Sequence, residues 1–292
     1  MFEGTYTALV TPFRDGQVDY DAFQALIDRQ AEAGIDGIVP VGTTGESPTI
    51  TPDEHIEIIK RAIEFSGGRL KVVAGTGANS TAEAIHLTCE AERAGADGSL
   101  QVCPYYNKPS AEGLYQHFKA VADASSLPLM LYSVPGRSVI DIPVETVARL
   151  ANDCKTVVSI KEAGGSSDRV NQLVQAVPDD FTIVSGDDPL TIPFMSVGAV
   201  GLVSVAANLV PEVMARLVNA CRKGAFDEAL EMQKRYYPLM SALMTLDTNP
   251  VPIKSALALC GHCTDEFRLP LVNLSPDNTK SLRKTLIDFE LL

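Results

Sequence analysis

The chain has 292 residues, 46% hydrophobic and 21% charged, with six cysteines at scattered positions; it can bury a large core, and it is neither a disordered segment nor a small disulfide scaffold. Lys+Arg total 24 against Asp+Glu 37, and the net charge of −13 repels phosphate backbones and anionic bilayers, so no nucleic acid and no membrane is expected as partner, and a small ligand in a local pocket is. No window approaches the ~18 apolar residues of a membrane span, and no basic stretch leads into an apolar run at the N-terminus, so a cytoplasmic protein is expected.

Short β-branched runs alternate with longer helical patterns from the first residues onward. The runs are Tyr6 to Val10, Gly37 to Val41, Lys71 to Ala74, Ser99 to Val102, Leu129 to Tyr132, Val157 to Lys161, Thr182 to Ser185 and Gly201 to Val205. Between them Tyr20 to Ala33, Pro52 to Phe65, Thr81 to Ala94, Glu112 to Ala124 and Pro143 to Ala151 repeat apolar residues every three and four positions behind Thr, Asp or Pro start signals. Strands alternating with helices imply a parallel sheet. Eight nearly all-apolar strands at a repeat of roughly thirty residues fit a (β/α)8 TIM barrel, an α/β fold, over residues 1–224. A doubly wound sheet is the rival, but the first strand runs into Thr11-Pro12-Phe13-Arg14, Gly75-Thr76-Gly77 is too short for a dinucleotide turn, and no P-loop exists. After the helical pattern Pro211 to Arg222 come three more, Ala225 to Leu246, Pro250 to Leu259 and Pro276 to Leu286, with no strand among them. Residues 225–292 therefore read as a C-terminal helical appendage for packing or oligomer contact.

Barrel enzymes carry their chemistry on the loops after the strands. Here the second strand leads into Gly42-Thr43-Thr44-Gly45-Glu46-Ser47, the fourth into Pro104-Tyr105-Tyr106-Asn107 and the fifth ends at Tyr132 before Val134-Pro135-Gly136-Arg137. The sixth closes on Ile160-Lys161-Glu162-Ala163 and the seventh on Ser185-Gly186-Asp187-Asp188. Most lysines lie where a solvated charge is the ordinary reading, and Lys71 opens its strand at the structural end of the barrel. Lys161 closes its strand at the catalytic end. Desolvation disfavours a charged amine, and a neutral amine facing a pocket attacks carbonyls. A structural pairing of Lys161 with Glu162 is disfavoured because neighbours on a strand point to opposite faces. Tyr132 closes the adjacent strand, so the two side chains can meet, and phenols or hydroxyls can move the protons that imine formation requires. Thr43 and Thr44 sit in a glycine-bracketed loop able to present backbone N–H groups to a carboxylate, and Arg137 offers a fork for another, with a plain surface arginine as the competing reading.

Metal chemistry has little support. His55, His86, His117 and His262 fall in helical segments or the C-terminal region and none ends a strand; they read as helix-surface or interface residues. Cys260-Gly-His-Cys263 has no second ligand pair, so neither a metal nor a cofactor is expected.

Together Gly42-Thr43-Thr44-Gly45-Glu46-Ser47, Pro104-Tyr105-Tyr106-Asn107-Lys108-Pro109, Tyr132-x-Val134-Pro135-x-Arg137 and Ile160-Lys161-Glu162-Ala163 resemble the dihydrodipicolinate synthase family of the N-acetylneuraminate lyase superfamily, over essentially the whole chain. The resemblance implies a metal-independent lyase in which Lys161 forms a Schiff base with pyruvate. The derived enamine attacks aspartate 4-semialdehyde, giving 4-hydroxy-tetrahydrodipicolinate, the first committed step toward diaminopimelate and lysine. It further implies that Thr43, Tyr106 and Tyr132 relay protons, with Tyr106 crossing a tight dimer interface into the neighbouring site. Thr44 would hold the pyruvate carboxylate, the backbone near Gly186 and Val203 would line the pocket, and Arg137 would receive the semialdehyde carboxylate. A homotetramer of two dimers is suggested. The Thr43-Thr44 pair and Arg137 favour this activity over a sister lyase acting on a sialic or ketodeoxy acid, and over a non-catalytic barrel that binds 2-keto acids.

Departures from the family pattern fall at Ser133, often Asn, and Gly136, often Ser, which flank Arg137. Ser47, His55, Asn79, Glu83 and Tyr105 match the lysine feedback site of some relatives, but Pro48 and Pro52 stand where Ala and His are common. Proline supplies neither a side-chain donor nor a backbone N–H, so inhibition by lysine is expected to be weak or absent.

Overall fold

Runs of β-branched and apolar residues need both faces covered, and a barrel does so by placing helices on one side while the strands enclose the other. In a computed structural model describing residues 2–292, eight such runs do so. The strands are β1 Gly4–Ala8, β2 Gly37–Val39, β3 Lys71–Gly75, β4 Gly98–Val102, β5 Leu129–Ser133, β6 Val157–Glu162, β7 Thr182–Ser185 and β8 Gly201–Ser204. They pair in parallel in chain order, and β1 closes the barrel against β8 through Gly4↔Gly201 to Thr7↔Ser204. The expected (β/α)8 barrel is therefore the fold. Phe2, Tyr6, Val39, Val73, Leu100, Met130, Val184 and Val203 fill its interior. The floor is tight: a Cβ on Gly37 would lie 2.5 Å from Cε1 of the Tyr6 ring.

The helices start where short polar side chains can accept the orphan N–H groups of the first turn. Asp19, Ser80, Ser110, Ser166 and Ser275 each cap one, and Thr51 forms a reciprocal box with Glu54 ahead of the helix Pro52–Ser66. Such caps contribute about 1 kcal/mol each.

Element boundaries differ from the periodicity in instructive ways. The second strand ends at Val39 rather than Val41, because Val41 adopts φ +48° and turns the chain into the following loop. The first begins at Gly4 rather than Tyr6, since the polar Thr5 and small Gly4 pair through their backbones and leave no hydropathy signal. A small hairpin, Phe13–Arg14 against Gln17–Val18, has no counterpart in the expected elements. Among the described residues no helix is long and apolar enough to cross a membrane.

Pro211–Arg222 is the last helix packed on the barrel, and Phe226–Thr245, Val251–Leu259 and Pro276–Asp288 follow without a strand. The first of these three lies against Pro211–Arg222, the third packs on the other two, and Val251–Leu259 reaches the turn Ala206–Asn208 that follows β8.

The histidine expectation needs correction. His86 is exposed and His262 half-buried, but His55 and His117 are buried. His55 donates from Nε2 to the Gly75 carbonyl oxygen at 2.8 Å, and His117 places Nδ1 2.9 Å from the Thr81 hydroxyl. Each lies on the inward stripe of its helix, where an imidazole with a polar partner substitutes for an apolar side chain. Burial pushes His117 down to about 4 and lowers His55 as well. The unfolded chain takes up a proton near pH 6.5 while folded His117 stays neutral until about 4. Stability from this group is thus complete above pH 6.5 and is lost as pH falls toward 4, at roughly 1.4 kcal/mol per unit. Urea titrations at pH 7 and pH 5 should differ by about 2 kcal/mol on this account. His117→Gln should flatten that dependence; an unchanged slope would contradict it.

Candidate active site

Strands β5 and β6 run in register so that Tyr132 and Lys161 are direct neighbours, with Val184 of β7 next to the lysine. All three project into the barrel. Lys161 is 5% exposed, and its Nζ stands 4.3 Å from the centroid of the Tyr132 ring. No ion pair holds it among the described residues. Glu162, one residue on, points outward as strand alternation requires. It is fully buried and takes Arg169 Nε at 2.9 Å and the Gly164 N–H at 2.7 Å. Burial pushes the Glu162 carboxyl up, opposed by the Arg169 guanidinium. The partners of Glu162 thus lie behind the barrel wall, away from the lysine.

Gly186, at the end of β7, leaves room for that lysine. A Cβ there would approach Lys161 Cε to 2.8 Å and Ala163 Cβ to 2.8 Å, so any larger residue displaces the amine-bearing stem. Val203 is buried in the barrel interior on β8. Above β7 and β8 the Asp188 carboxylate accepts from the Ser204 hydroxyl and from the Val205 and Ala206 N–H groups, each of the latter at 3.0 Å.

At the barrel mouth lies a cavity of about 220 Å³ lined by Thr43, Ser47, Tyr105, Tyr132 and Arg137 among others, with an apolar back of Val41, Leu100 and Val102. A few polar side chains thus converge on an apolar wall, the composition of a small-molecule site. Lys161 does not itself line it but contacts the ring of Tyr132, which does. Thr44 is turned away from the cavity lining and is buried, its hydroxyl accepting from Asn249 Nδ2 at 3.1 Å. Arg137 lies in the helical turn Pro135–Ser138 and donates from Nη2 to the Asn249 carbonyl oxygen at 2.9 Å. Ser138 ties the same turn to the carbonyl oxygens of Val134 at 3.0 Å and Ile140 at 2.6 Å. The departures at Ser133 and Gly136 leave it braced: Ser133 Oγ accepts from the Ile142 N–H at 3.4 Å, and Gly136 faces open space.

Tyr106 is not brought into this cavity. It is 90% exposed, more than any other large hydrophobic side chain among the described residues, at φ +72° in a loop that also holds Lys108 at φ +45°. A second cavity of about 270 Å³ adjoins the first through Ser47, Pro48, Gly77 and Tyr105 and is also lined by Pro52, His55 and Glu83. Asn79 is not in that lining; its amide donates to the Tyr105 carbonyl oxygen at 3.2 Å.

Sequence reasoning missed the C-terminal contribution to this site. Asn249 bridges Thr44 and Arg137, and Lys254 of the helix Val251–Leu259 reaches Glu46, two residues after Thr44. The one available signal was a lysine in the middle of a helical stretch, Val251 to Leu259, whose only other polar residue is Ser255; a lysine buried there requires a partner.

Comparison with known proteins identifies the family. Residues 1–288 match the model of the dihydrodipicolinate synthetase family. A 4-hydroxy-tetrahydrodipicolinate synthase of Persephonella marina is 50% identical over the full length of both chains. The structure of the corresponding enzyme from Methylacidiphilum fumariolicum SolV superposes with a TM-score of 0.98 at 54% identity, covering 99% of this chain and 96% of that one. A dihydrodipicolinate synthase from Acinetobacter baumannii, solved in complex with pyruvate, is 40% identical over the whole of both chains with a TM-score of 0.97. The chain belongs to the dihydrodipicolinate synthetase family.

Proposed function

We propose that the protein is a 4-hydroxy-tetrahydrodipicolinate synthase that condenses pyruvate with aspartate 4-semialdehyde through a Schiff base on Lys161. The observation that carries this reading is a buried lysine without a carboxylate partner, in register with a tyrosine at the catalytic end of a barrel. The full-length similarity to synthases and the pyruvate held by the Acinetobacter relative support it.

Lys161 Nζ attacks C2 of pyruvate, the carbinolamine loses water, and the resulting imine loses a C3 proton to give an enamine. The enamine carbon bonds to the aldehyde carbon of the semialdehyde, whose oxygen takes a proton. The semialdehyde's own amine then adds to the imine carbon, and ring closure expels Lys161 unchanged. Each transfer needs a group that both gives and takes a proton close to the reacting atoms. Tyr132 and Thr43 line the cavity for that task, with Tyr106 of a second subunit as third member of the relay. Thr44 anchors the keto-acid end through the loop N–H groups, its buried hydroxyl being tied to Asn249, while Gly186 and Val203 shape the floor and Arg137 takes the semialdehyde carboxylate. A homo-oligomer, a dimer of dimers as the family resemblance suggests, would cover Tyr106, whose backbone is strained and whose ring is bare in one chain.

Incubation with pyruvate and borohydride followed by peptide mapping should place a reduced adduct on the Lys161 peptide, and none in Lys161→Ala. An adduct on another lysine contradicts the mechanism. For the shared site, Tyr106→Phe chains and Lys161→Ala chains, each nearly inactive alone, should regain part of the activity when co-assembled. Confirmed mixed oligomers with no recovery would place Tyr106 outside the relay.

A further inference from the structure

Glu46 and Lys254 form an ion pair whose side chains are both fully inaccessible to solvent, with Nζ 2.6 Å from Oε1. The ammonium also faces the rings of Phe13 at 4.1 Å and Phe267 at 5.0 Å, and the second carboxylate oxygen accepts from the Arg268 N–H at 3.3 Å. Withdrawing two ions from water is costly, and apolar replacement of such pairs is often neutral or stabilising. Stability alone therefore gives little reason for a pair here.

Its location gives another reason. The loop between β2 and the helix Pro52–Ser66 carries two non-glycine residues in the left-handed region, Val41 at φ +48° and Glu46 at φ +59°, on either side of Thr43 and Thr44. Such residues are strained and persist only where surrounding contacts over-determine them. Four contacts do so here. Thr11 donates its hydroxyl to the Gly45 carbonyl oxygen at 2.8 Å, and Asn249 donates to Thr44. Lys254 and the Arg268 N–H hold the Glu46 carboxylate. Three of the four come from residues 249–268, outside the barrel. Arg268 extends the clamp by donating to the Thr49 carbonyl oxygen at 3.1 Å and to the Glu54 carboxylate at 2.6 and 2.8 Å.

We propose that the buried Glu46–Lys254 pair is a positioning device by which the C-terminal helix Val251–Leu259 holds the Thr43–Thr44 loop in the geometry that captures the keto acid. The proposal rests on the assignment of Thr43 and Thr44 to pyruvate under Proposed function. Neither Glu46 nor Lys254 touches substrate; they act through the loop, and a displacement near 1 Å is enough to cost up to a hundredfold in rate.

The test uses the full-length protein in two forms. Glu46→Gln/Lys254→Met removes both charges at similar volume, and Glu46→Gln alone keeps the shape and one acceptor. Thermal unfolding reports whether each folds cooperatively, and borohydride labelling of Lys161 against pyruvate concentration reports capture without the second substrate. A folded variant should need roughly tenfold more pyruvate, or more, for half-maximal labelling, with kcat reduced in parallel. Labelling and kcat within twofold of the parent in a folded variant overturn the proposal. Loss of cooperative folding in both variants also overturns it, by making the pair a stability element. Parent protein unlabelled at Lys161 would instead defeat the underlying assignment of the site, so the two failures are distinguishable.

Discussion

Burying a lysine in an apolar cylinder without a counter-ion is the constraint from which the rest of this site follows. An isolated ammonium strongly resists leaving water, and the usual remedy, a carboxylate within reach, would occupy the lone pair or proton that the chemistry needs. The fold avoids that remedy. Strand alternation sends Glu162 to the outside of the barrel, where Arg169 and the Gly164 N–H satisfy it, while the lysine faces the ring of Tyr132, with no ion pair among the described residues. An aromatic face attracts a cation weakly compared with a carboxylate, so the amine is held in place and remains available. Gly186 serves the same end by leaving the stem unobstructed.

The other half of the site depends on backbone strain. The loop after β2 brings Thr43 and Thr44 to the mouth by winding through left-handed conformations at Val41 and Glu46. Contacts from the chain beyond the barrel hold it there. Residues 249–268 supply the Asn249 bridge between Thr44 and Arg137 as well as the ion pair to Glu46. The C-terminal helices are thus part of how the site is held, a role that packing or oligomer contact alone does not describe.

Much of this was legible in the sequence because its causes are local. A period-two or continuous apolar run marks a strand, and the residue closing it marks the mouth, which is how Lys161, Tyr132 and the loop holding Thr43 were found. Tyr106 and Arg137 were legible by motif, but the geometry of one chain leaves Tyr106 bare and seats Arg137 on Asn249. What was illegible is what depends on distant pairing. Glu46 and Lys254 are separated by 208 positions, and neither residue type announces its partner. His55 and His117 were misjudged for a related reason: a histidine on a helix reads as surface until the packing of that helix's inward face is known.

The central claim is that the nitrogen resting against Tyr132 becomes bonded to the keto carbon of pyruvate. A crystal structure of the protein soaked in pyruvate tests it most directly. The account predicts continuous density from Lys161 Nζ to C2 of the keto acid, with the three-carbon unit in the cavity between Thr43 and Tyr132. Pyruvate lying elsewhere, or beside a lysine still unmodified against the tyrosine ring, would contradict it.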